Sequence, residues 1–391
     1  MNMKVTISDA VKFIGVDDKT IDLFESQYVV PEGVSYNSYL ILDEKVALMD
    51  TVDVRGMKEW EKNLTETLAG RKVDYLVIQH LEPDHAGSIG RLLELYPDVT
   101  LVGNAKTFAM LPQFFDIDPN VKKLTVAEGD TLSLGNHTLT FVMAPMVHWP
   151  EVMVTYESTE KILFSADGFG KFGALDSEDE EGWACEARRY YFNIVGKYGA
   201  PVQALLKKAA NLDIQTICPL HGPVLKENLG YYIGLYDTWS SYRPEDKGVL
   251  VAYASIHGNT AKAAEKFAEM LRAKGVEKVV VSDLAREDMA EVIEDAFRYD
   301  RMVVAGASYD GGVFPCMHDF LHHLQSKAYQ NRTVGIIENG SWGPTAGRTM
   351  KAILETMKNV TIVDPMVTIK SAMKESDMPA LEALADAIAN A

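Results

Sequence analysis

The first part of the chain alternates short apolar runs with polar turn residues, a pattern typical of β-strands. The apolar runs lie at residues 34–43, 46–52, 75–80, 99–104, 138–147, 161–168 and 216–222. Amphipathic stretches between or after them predict helices over residues 56–68, 88–96, 184–198, 202–210 and 226–241. This mixture predicts paired sheets covered by helices.

The pattern changes after residue 245, where apolar runs alternate strictly with helical stretches. The runs occupy residues 249–255, 278–284, 301–308, 332–338 and 360–367. They are too continuous for a sheet with one wet face, which predicts a doubly wound, five-stranded parallel sheet covered on both sides. The charged, proline-bearing segment 241–248 reads as a linker, so we predict domains over residues 1–245 and 246–391.

Composition narrows the possible partners. The 391 residues are 47% apolar and 24% charged, as in ordinary globular proteins. The net charge of −18 opposes binding to nucleic acid or to anionic membrane surfaces. No apolar run of about eighteen residues and no signal peptide is visible, so we predict a cytoplasmic protein.

Seven side chains that could bind metal follow predicted strands. A single His or Asp at a strand end is usually a turn or capping residue, but seven together indicate a metal centre. The candidates are His80, Glu82, Asp84, His85, His148, Asp167 and His221. Their mixed nitrogen and oxygen donors, with no thiolate, favour a redox metal over structural zinc. Two ions suit seven ligands, and Asp167 is the natural bridge because it comes alone from its own loop.

At these residues the chain resembles the flavodiiron proteins (A-type flavoproteins). The resemblance rests on the pattern H-x-E-x-D-H, a distant His, eighteen residues, an Asp and a final His. It implies a metallo-β-lactamase-like αββα sandwich with a non-haem di-iron centre. His80, Glu82 and His148 would bind one iron, and Asp84, His85 and His221 the other, with Asp167 bridging. Hydrolytic relatives that bind zinc usually carry His at the position of Glu82.

The second domain begins with a strand, a loop rich in hydroxyl groups and a helix, an arrangement that can bind one phosphate group. It lacks the G-x-x-x-x-G-K and G-x-G-x-x-G motifs of nucleotide triphosphate and dinucleotide sites. Taken alone, this loop could also be ordinary helix capping. Two further loops, at residues 308–312 and 339–343, place aromatic residues among glycines after the third and fourth strands.

The three loops resemble the FMN-binding loops of flavodoxin, and this resemblance covers residues 248–391. The predicted cofactor-binding residues are Ser255, Ile256, His257, Gly258, Asn259, Thr260, Ser308, Tyr309, Asp310, Gly311, Gly312, Asn339, Gly340, Ser341, Trp342 and Gly343. We expect Trp342 to contact the isoalloxazine ring.

The family resemblance implies an oxidoreductase that reduces O2 to water and/or NO to N2O. Electrons would come from an external donor such as rubredoxin, a rubredoxin reductase or a reduced deazaflavin. The resemblance also implies a head-to-tail homodimer that brings the FMN of one subunit beside the iron pair of the other. Trp149, Tyr190 and Tyr191 are candidates for residues around the ligands or for proton donors.

Two other functions compete with this one. A zinc-dependent hydrolase with an appended electron-transfer domain would explain the fold but not Glu82. An electron carrier or redox sensor would leave the seven ligands without a task. Of the nine histidines, His137, His318, His322 and His323 belong to no motif.

Overall fold

The computed structural model describes residues 6–177 and 182–391. The chain divides into two compact units. The first runs to Tyr191 and resumes over Ala200–Asp237, and the second contains Phe192–Gly199 and Thr238–Ala391. A domain boundary at residues 245/246 stays a prediction.

The first unit is built from short strands and helices. Its strands are β1 (Val11–Phe13), β2 (Val16–Asp18), β3 (Leu23–Phe24), β4 (Tyr28–Val29), β5 (Val34–Tyr36), β6 (Tyr39–Leu42), β7 (Val46–Met49), β8 (Tyr75–Val77), β9 (Thr100–Gly103), β10 (Lys123–Thr125), β11 (Thr131–Ser133), β12 (Thr138–Met143), β13 (Met153–Glu157), β14 (Ile162–Phe164) and β15 (Thr216–Cys218). Its helices are α1 (Met57–Leu68), α2 (Pro83–Ala86), α3 (Ile89–Leu95), α4 (Ala105–Met110), α5 (Trp183–Tyr190), α6 (Gly199–Ala209) and α7 (Leu229–Ser240), the last of which crosses into the second unit.

Two sheets pack face to face in this unit. One has the strand order β1-β6-β7-β8-β9-β10 and the other β11-β12-β13-β14-β15. Their facing sides share one core, to which the first sheet contributes Val77 and the second Phe141 and Phe164. Helix α1 buries Trp60, Leu64 and Leu68, which lie four residues apart on one helical face. The predicted αββα sandwich is confirmed.

Strand directions explain how distant ligands reach one place. Strands β12 and β13 are antiparallel, as are β13 and β14, whereas β14 and β15 are parallel. Strands β12, β14 and β15 therefore point the same way, and the loops that follow them leave one edge of the sheet. These loops carry His148, Asp167 and His221.

Some elements differ from the sequence prediction. The strand predicted over residues 138–147 ends at Met143, and β13 was not predicted. The helix predicted over residues 184–198 is α5 followed by a π-helical turn, Tyr191–Val195, and a 3-10 turn, Gly196–Tyr198. Packing of large buried aromatic side chains, which periodicity does not register, accompanies this change of winding.

The second unit alternates strands with helices. Its elements are β16 (Asp246–Ala254), α8 (Asn259–Ala273), β17 (Val279–Asp283), α9 (Met289–Arg298), β18 (Tyr299–Tyr309), β19 (Gly312–Val313), α10 (Pro315–Ser326), β20 (Arg332–Asn339), α11 (Ala346–Leu354), β21 (Val360–Ile362), β22 (Val367–Ile369) and α12 (Met378–Ala389). The parallel order β17-β16-β18-β20-β21 is that of flavodoxin, as predicted.

Two pairings depart from a simple five-stranded sheet: β19 pairs antiparallel with β18, and the fifth strand is divided. The run predicted over residues 360–367 forms two short strands, β21 and β22, and both pair with β20. Pro365 lies between them and has no backbone N–H to donate to a sheet.

None of the helices in the described residues is long and apolar enough to cross a membrane.

Candidate functional site

The loop after β8 is anchored by a buried carboxylate before it reaches its ligands. Asp50 Oδ1 accepts hydrogen bonds from the backbone N–H groups of Gln79, at 2.8 Å, and His80, at 3.3 Å. Helix α2 follows at once, with Pro83 in its first turn, and carries Asp84 and His85. The Thr51 hydroxyl donates to the carbonyl of His85 at 2.7 Å. These bonds hold both ends of the ligand loop.

One group of ligand atoms consists of two imidazoles and two carboxylates. Glu82 Oε2 lies 3.2 Å from His80 Nε2 and 3.0 Å from His148 Nε2. Asp167 Oδ2 lies 3.3 Å and 3.2 Å from the same two nitrogens. Atoms that share an ion at about 2.1 Å lie about 3 Å apart, so these spacings suit a common ion.

A second group lies on the other side of Asp167. Asp84 Oδ2 lies 3.3 Å from His85 Nε2 and 3.2 Å from His221 Nε2. Asp167 Oδ1 lies 3.1 Å and 3.8 Å from these nitrogens. The two oxygens of Asp167 thus face different groups, an arrangement suited to a bridge between two ions. All seven predicted ligands come together in these two groups.

Buried polar atoms test whether a metal pair fits. Several buried ligand atoms have no hydrogen-bond partner within the described part of the chain. They are both carboxylate oxygens of Asp84 and of Asp167, both ring nitrogens of His85, and Nε2 of His221. Buried polar atoms without partners are rare because desolvating them is costly. Bound cations would satisfy those of the atoms that face the two groups, namely His85 Nε2, His221 Nε2, Asp84 Oδ2 and both oxygens of Asp167, so the residues present fit a metal pair.

Two of the ligand imidazoles are oriented by groups outside the set. His80 Nδ1 faces Glu151 Oε1 at 2.8 Å, and the same oxygen accepts the Leu81 N–H at 2.9 Å. His221 Nδ1 lies 2.7 Å from the carbonyl oxygen of Ser35. These contacts leave each Nε2 atom to face the metal position. No sequence pattern indicated Glu151 or Ser35, although Glu151 lies only three residues after His148.

The charged side chains of the site shift one another's pKa values. Burial opposes charge on His148, but contacts with Asp167 and Glu82 outweigh it and raise its pKa to about 9. Burial likewise opposes ionisation of Asp167, but the charges of His85 and His80 lower its pKa well below the usual range. Imidazoles and carboxylates therefore stabilise one another's charged forms in the protein without metal.

The three predicted aromatic neighbours are placed differently. Trp149 stacks on Phe114, with ring centres 6.0 Å apart, and sets its ring edge-to-face against His80 at 5.2 Å. Tyr190 is buried 5.4 Å from the His221 ring, and its hydroxyl has no hydrogen-bond partner among residues 6–177 and 182–391. Tyr191 packs against Tyr236 at 5.1 Å. Trp149 and Tyr190 contact ligands.

The predicted FMN loops follow β16, β18 and β20, which are neighbours in the sheet. In the first loop, Gly258 has a φ of +86° and donates its N–H to Ser255 Oγ at 3.1 Å. Gly258 precedes α8 without a side-chain cap, which leaves first-turn N–H groups for an anion. Nothing lies within 4 Å of the space beside Gly258. The loop therefore fits a phosphate group.

The second and third loops are tied together. Ser308 Oγ accepts hydrogen bonds from the backbone N–H groups of Thr345, at 2.8 Å, and Ala346, at 3.1 Å. A side chain at Gly340 would meet Pro344 at 2.8 Å, so this close approach requires glycine. Tyr309 is 44% exposed and Trp342 is 97% exposed, so both rings are available to a flat ligand.

Known proteins resemble this chain over nearly its whole length. A family profile described as "ODP family beta lactamase" matches residues 34–222. A nitric oxide reductase of Moorella thermoacetica is 30% identical over 387 residues, covering 97% of this chain and 96% of that protein.

Solved structures agree with this comparison. Rubredoxin oxygen:oxidoreductase of Desulfovibrio gigas superposes with a TM-score of 0.93 at 26% identity, covering 99% of this chain and 98% of that one. The flavodiiron protein of Giardia intestinalis gives a TM-score of 0.90 at 24% identity, covering 100% and 97%, and supports the fold. The chain belongs to the flavodiiron protein family.

Proposed function

We propose that this protein is an FMN- and di-iron-dependent oxidoreductase that reduces O2 to water and/or NO to N2O. The observation that carries the proposal is the placement of Asp167 between two groups of buried ligand atoms that lack hydrogen-bond partners. His80, Glu82 and His148 would hold one iron, and Asp84, His85 and His221 the other, with Asp167 bridging. The family name and the names of the similar reductases support this function.

When bound, the iron pair supplies the electrons that reduce the diatomic substrate, and FMN supplies electrons to the iron. The chain itself positions the ligands. Glu151 and the carbonyl of Ser35 orient His80 and His221. Trp149 packs edge-to-face against one side of His80.

Tyr190 is the proposed hydrogen-bond donor at the site. Burial raises the pKa of its hydroxyl well above the usual value, and the charges of Asp167 and Asp84 add to the effect. The phenol therefore keeps its proton. Since its oxygen has no partner in the described chain, it is available to donate to a reduced substrate.

The three loops of the second unit would hold FMN. Backbone N–H groups at the start of α8 and the hydroxyls of Ser255 and Thr260 would bind the phosphate. Tyr309 and Trp342 would contact the isoalloxazine ring.

The family resemblance supports a proposal for the electron donor and for the assembly. Rubredoxin is the donor named for the Desulfovibrio gigas enzyme, and we propose rubredoxin, a rubredoxin reductase or a reduced deazaflavin for this chain. We also propose a head-to-tail homodimer in the cytoplasm. Sedimentation of the protein loaded with FMN and iron tests the assembly, and a monomer with full turnover would contradict it.

The decisive experiment mixes the anaerobically reduced protein with O2 and with NO separately in a stopped-flow instrument, after iron and flavin have been measured. We expect about two irons and one FMN per chain and rapid reoxidation by at least one gas. Zinc in place of iron, together with thioester or lactam hydrolysis, would instead identify a hydrolase. The carboxylate of Glu82, where zinc hydrolases usually carry an imidazole, favours the reductase.

A further inference from the structure

A small apolar cavity lies behind the metal-ligand loops of the first unit. Its volume, counted as the space that the centre of a water molecule can occupy, is about 20 Å³. Its walls include the side chains Val147, Val154, Leu163, Phe169, Val202 and Leu206. The cavity thus lies between the five-stranded sheet and helix α6, which belongs to this unit from Ala200 onward.

The polar groups in its wall are already satisfied. Ser165 Oγ donates to the carbonyl of Gly168 at 2.6 Å. The Tyr236 hydroxyl accepts the N–H of Phe169 at 2.6 Å. A water molecule needs two to four polar partners, so an apolar cavity of this kind stays dry and takes up apolar ligands such as xenon.

The cavity wall and the metal ligands share the same stretches of chain. Val147 is bonded directly to His148, and Gly168 and Phe169 directly follow Asp167. The ring of Phe169 stacks on Tyr236 with centres 4.2 Å apart and closes the wall next to the Asp167 loop. A small molecule in the cavity therefore lies against the same stretches of chain that carry His148 and Asp167.

We propose that this cavity is a holding site for the diatomic gas that the metal centre reduces. The inference rests on the proposed function. About 10–15 Å³ of such space holds one water, so the cavity has room for one molecule the size of O2 or NO. Both gases are small, uncharged and nearly apolar, so they move from water into apolar space. The cavity raises their concentration beside the ligands.

Xenon is the probe of the cavity, because it binds dry apolar space without chemistry. We expect crystals of the full chain, pressurised with xenon, to show an atom among Val147, Leu163, Val202 and Leu206. The absence of xenon from this cavity would overturn the proposal, whatever the protein catalyses.

A matched pair of substitutions on α6 tests the link to turnover. Ala209 lines the cavity, whereas Ala204 on the same helix is exposed and does not. Ala209→Phe places a ring at the mouth of the cavity, and Ala204→Phe adds the same ring to the surface. We expect Ala209→Phe to lose xenon and to lower kcat/KM for O2 and for NO about tenfold, with kcat at saturating gas unchanged. Ala204→Phe should match the wild type.

Leu206→Ala provides a second test in the opposite direction. It enlarges the cavity, so we expect higher xenon occupancy and no fall in kcat/KM. Loss of xenon in Ala209→Phe with an unchanged kcat/KM would overturn the role in gas supply. If the wild-type protein loaded with FMN and iron turned over neither gas, the proposed function would be wrong. A xenon atom in the cavity of that protein would still show that the cavity binds a small apolar ligand, so the two failures can be told apart. Unequal effects on the O2 and NO constants would show which gas the cavity serves.

Discussion

The first unit contains two clusters of histidine and carboxylate side chains that use the same chemical groups in different ways. One is the set of seven proposed metal ligands. The other joins His137 to two carboxylates, with Nδ1 2.8 Å from Asp43 Oδ2 and Nε2 3.2 Å from Glu160 Oε1. The backbone N–H of His137 and the side chain of Asn136 also donate to Asp43.

The two clusters differ in how completely their polar atoms are paired. In the His137 cluster each ring nitrogen has its own carboxylate, and the group links three turns, those before β7, β12 and β14. Among the proposed ligands, both oxygens of Asp84 and Asp167 have no hydrogen-bond partner in the described residues. Donor type alone does not distinguish a metal site from a structural cross-link. Buried polar atoms without hydrogen-bond partners distinguish the two.

The largest effect should come from the bridging carboxylate. Asp167→Ala removes the group that faces both sets of ligands, so we expect turnover of O2 and NO to fall by more than the 10- to 100-fold typical of losing an outer partner. Iron analysis should show loss of metal while FMN stays bound. Asp116→Ala, which removes an exposed carboxylate, is the control. Unaltered turnover in Asp167→Ala would contradict the di-iron assignment.

A smaller effect is expected from the carboxylate behind His80. Glu151→Gln weakens the contact that orients the imidazole, and we expect iron affinity to fall about 10- to 100-fold. Metal titration of the chelated protein measures this affinity. Glu157→Gln is the matched control, because Glu157 is equally buried but accepts the N–H groups of Thr159 and Glu160 instead. Equal losses in both variants would indicate a general folding defect.

The His137 cluster should affect stability and not iron content. His137→Gln breaks buried charged hydrogen bonds, so we expect a cost of about 1–3 kcal/mol in the free energy of unfolding. Urea unfolding of the wild type and the variant measures it. His322→Gln, at an exposed position, should stay within about 0.5 kcal/mol. A loss of iron in His137→Gln would break the distinction between the clusters.

The pH dependence of this cost has a definite sign. Burial opposes charge on His137 and Asp43, but their contact outweighs it, raising the pKa of His137 and lowering that of Asp43. The His137 contribution is complete below its unfolded pKa of about 6.5 and is lost as pH rises through the folded value. The Asp43 contribution is complete above about 3.9 and is lost as pH falls through its folded value. The difference between wild type and variant should therefore be greatest between about pH 4 and 6.5.

The smallest effect is expected at the outer carboxylate of the same cluster. Glu160 is 27% exposed and lies 3.2 Å from His137 Nε2, so solvent screens the pair. Glu160→Gln should cost no more than about 1 kcal/mol. Comparing the urea unfolding of Glu160→Gln with that of His137→Gln shows how much of the cluster's stabilisation comes from each of its two carboxylates. A cost equal to that of His137→Gln would place the main contact at Glu160.

The local pattern predicted much of the fold because the periodicity of apolar residues follows burial. Helix α1 and the first four strands of the parallel sheet lie close to their predicted positions, since continuous or four-residue apolar spacing leaves little choice of structure. Strand β13 was missed because its residues, Met153–Glu157, include Thr155 and Glu157 and so form no continuous apolar run, although all five are buried. The division of the fifth strand depends on pairing with β20, which sequence periodicity does not report.

Residue types and apolar spacing are enough to establish which donors this protein possesses and that they follow strands, because both are local properties of the chain. They do not determine which atoms are left without partners. His137 and His80 both lie beside carboxylates. Only packing determines that neighbouring donors pair with the oxygens of Asp43, whereas the oxygens of Asp167 face two groups of ligands. Likewise Glu151 reaches His80 across 71 residues only through the fold. Contacts between distant segments set burial and pairing, and these follow from tertiary structure alone.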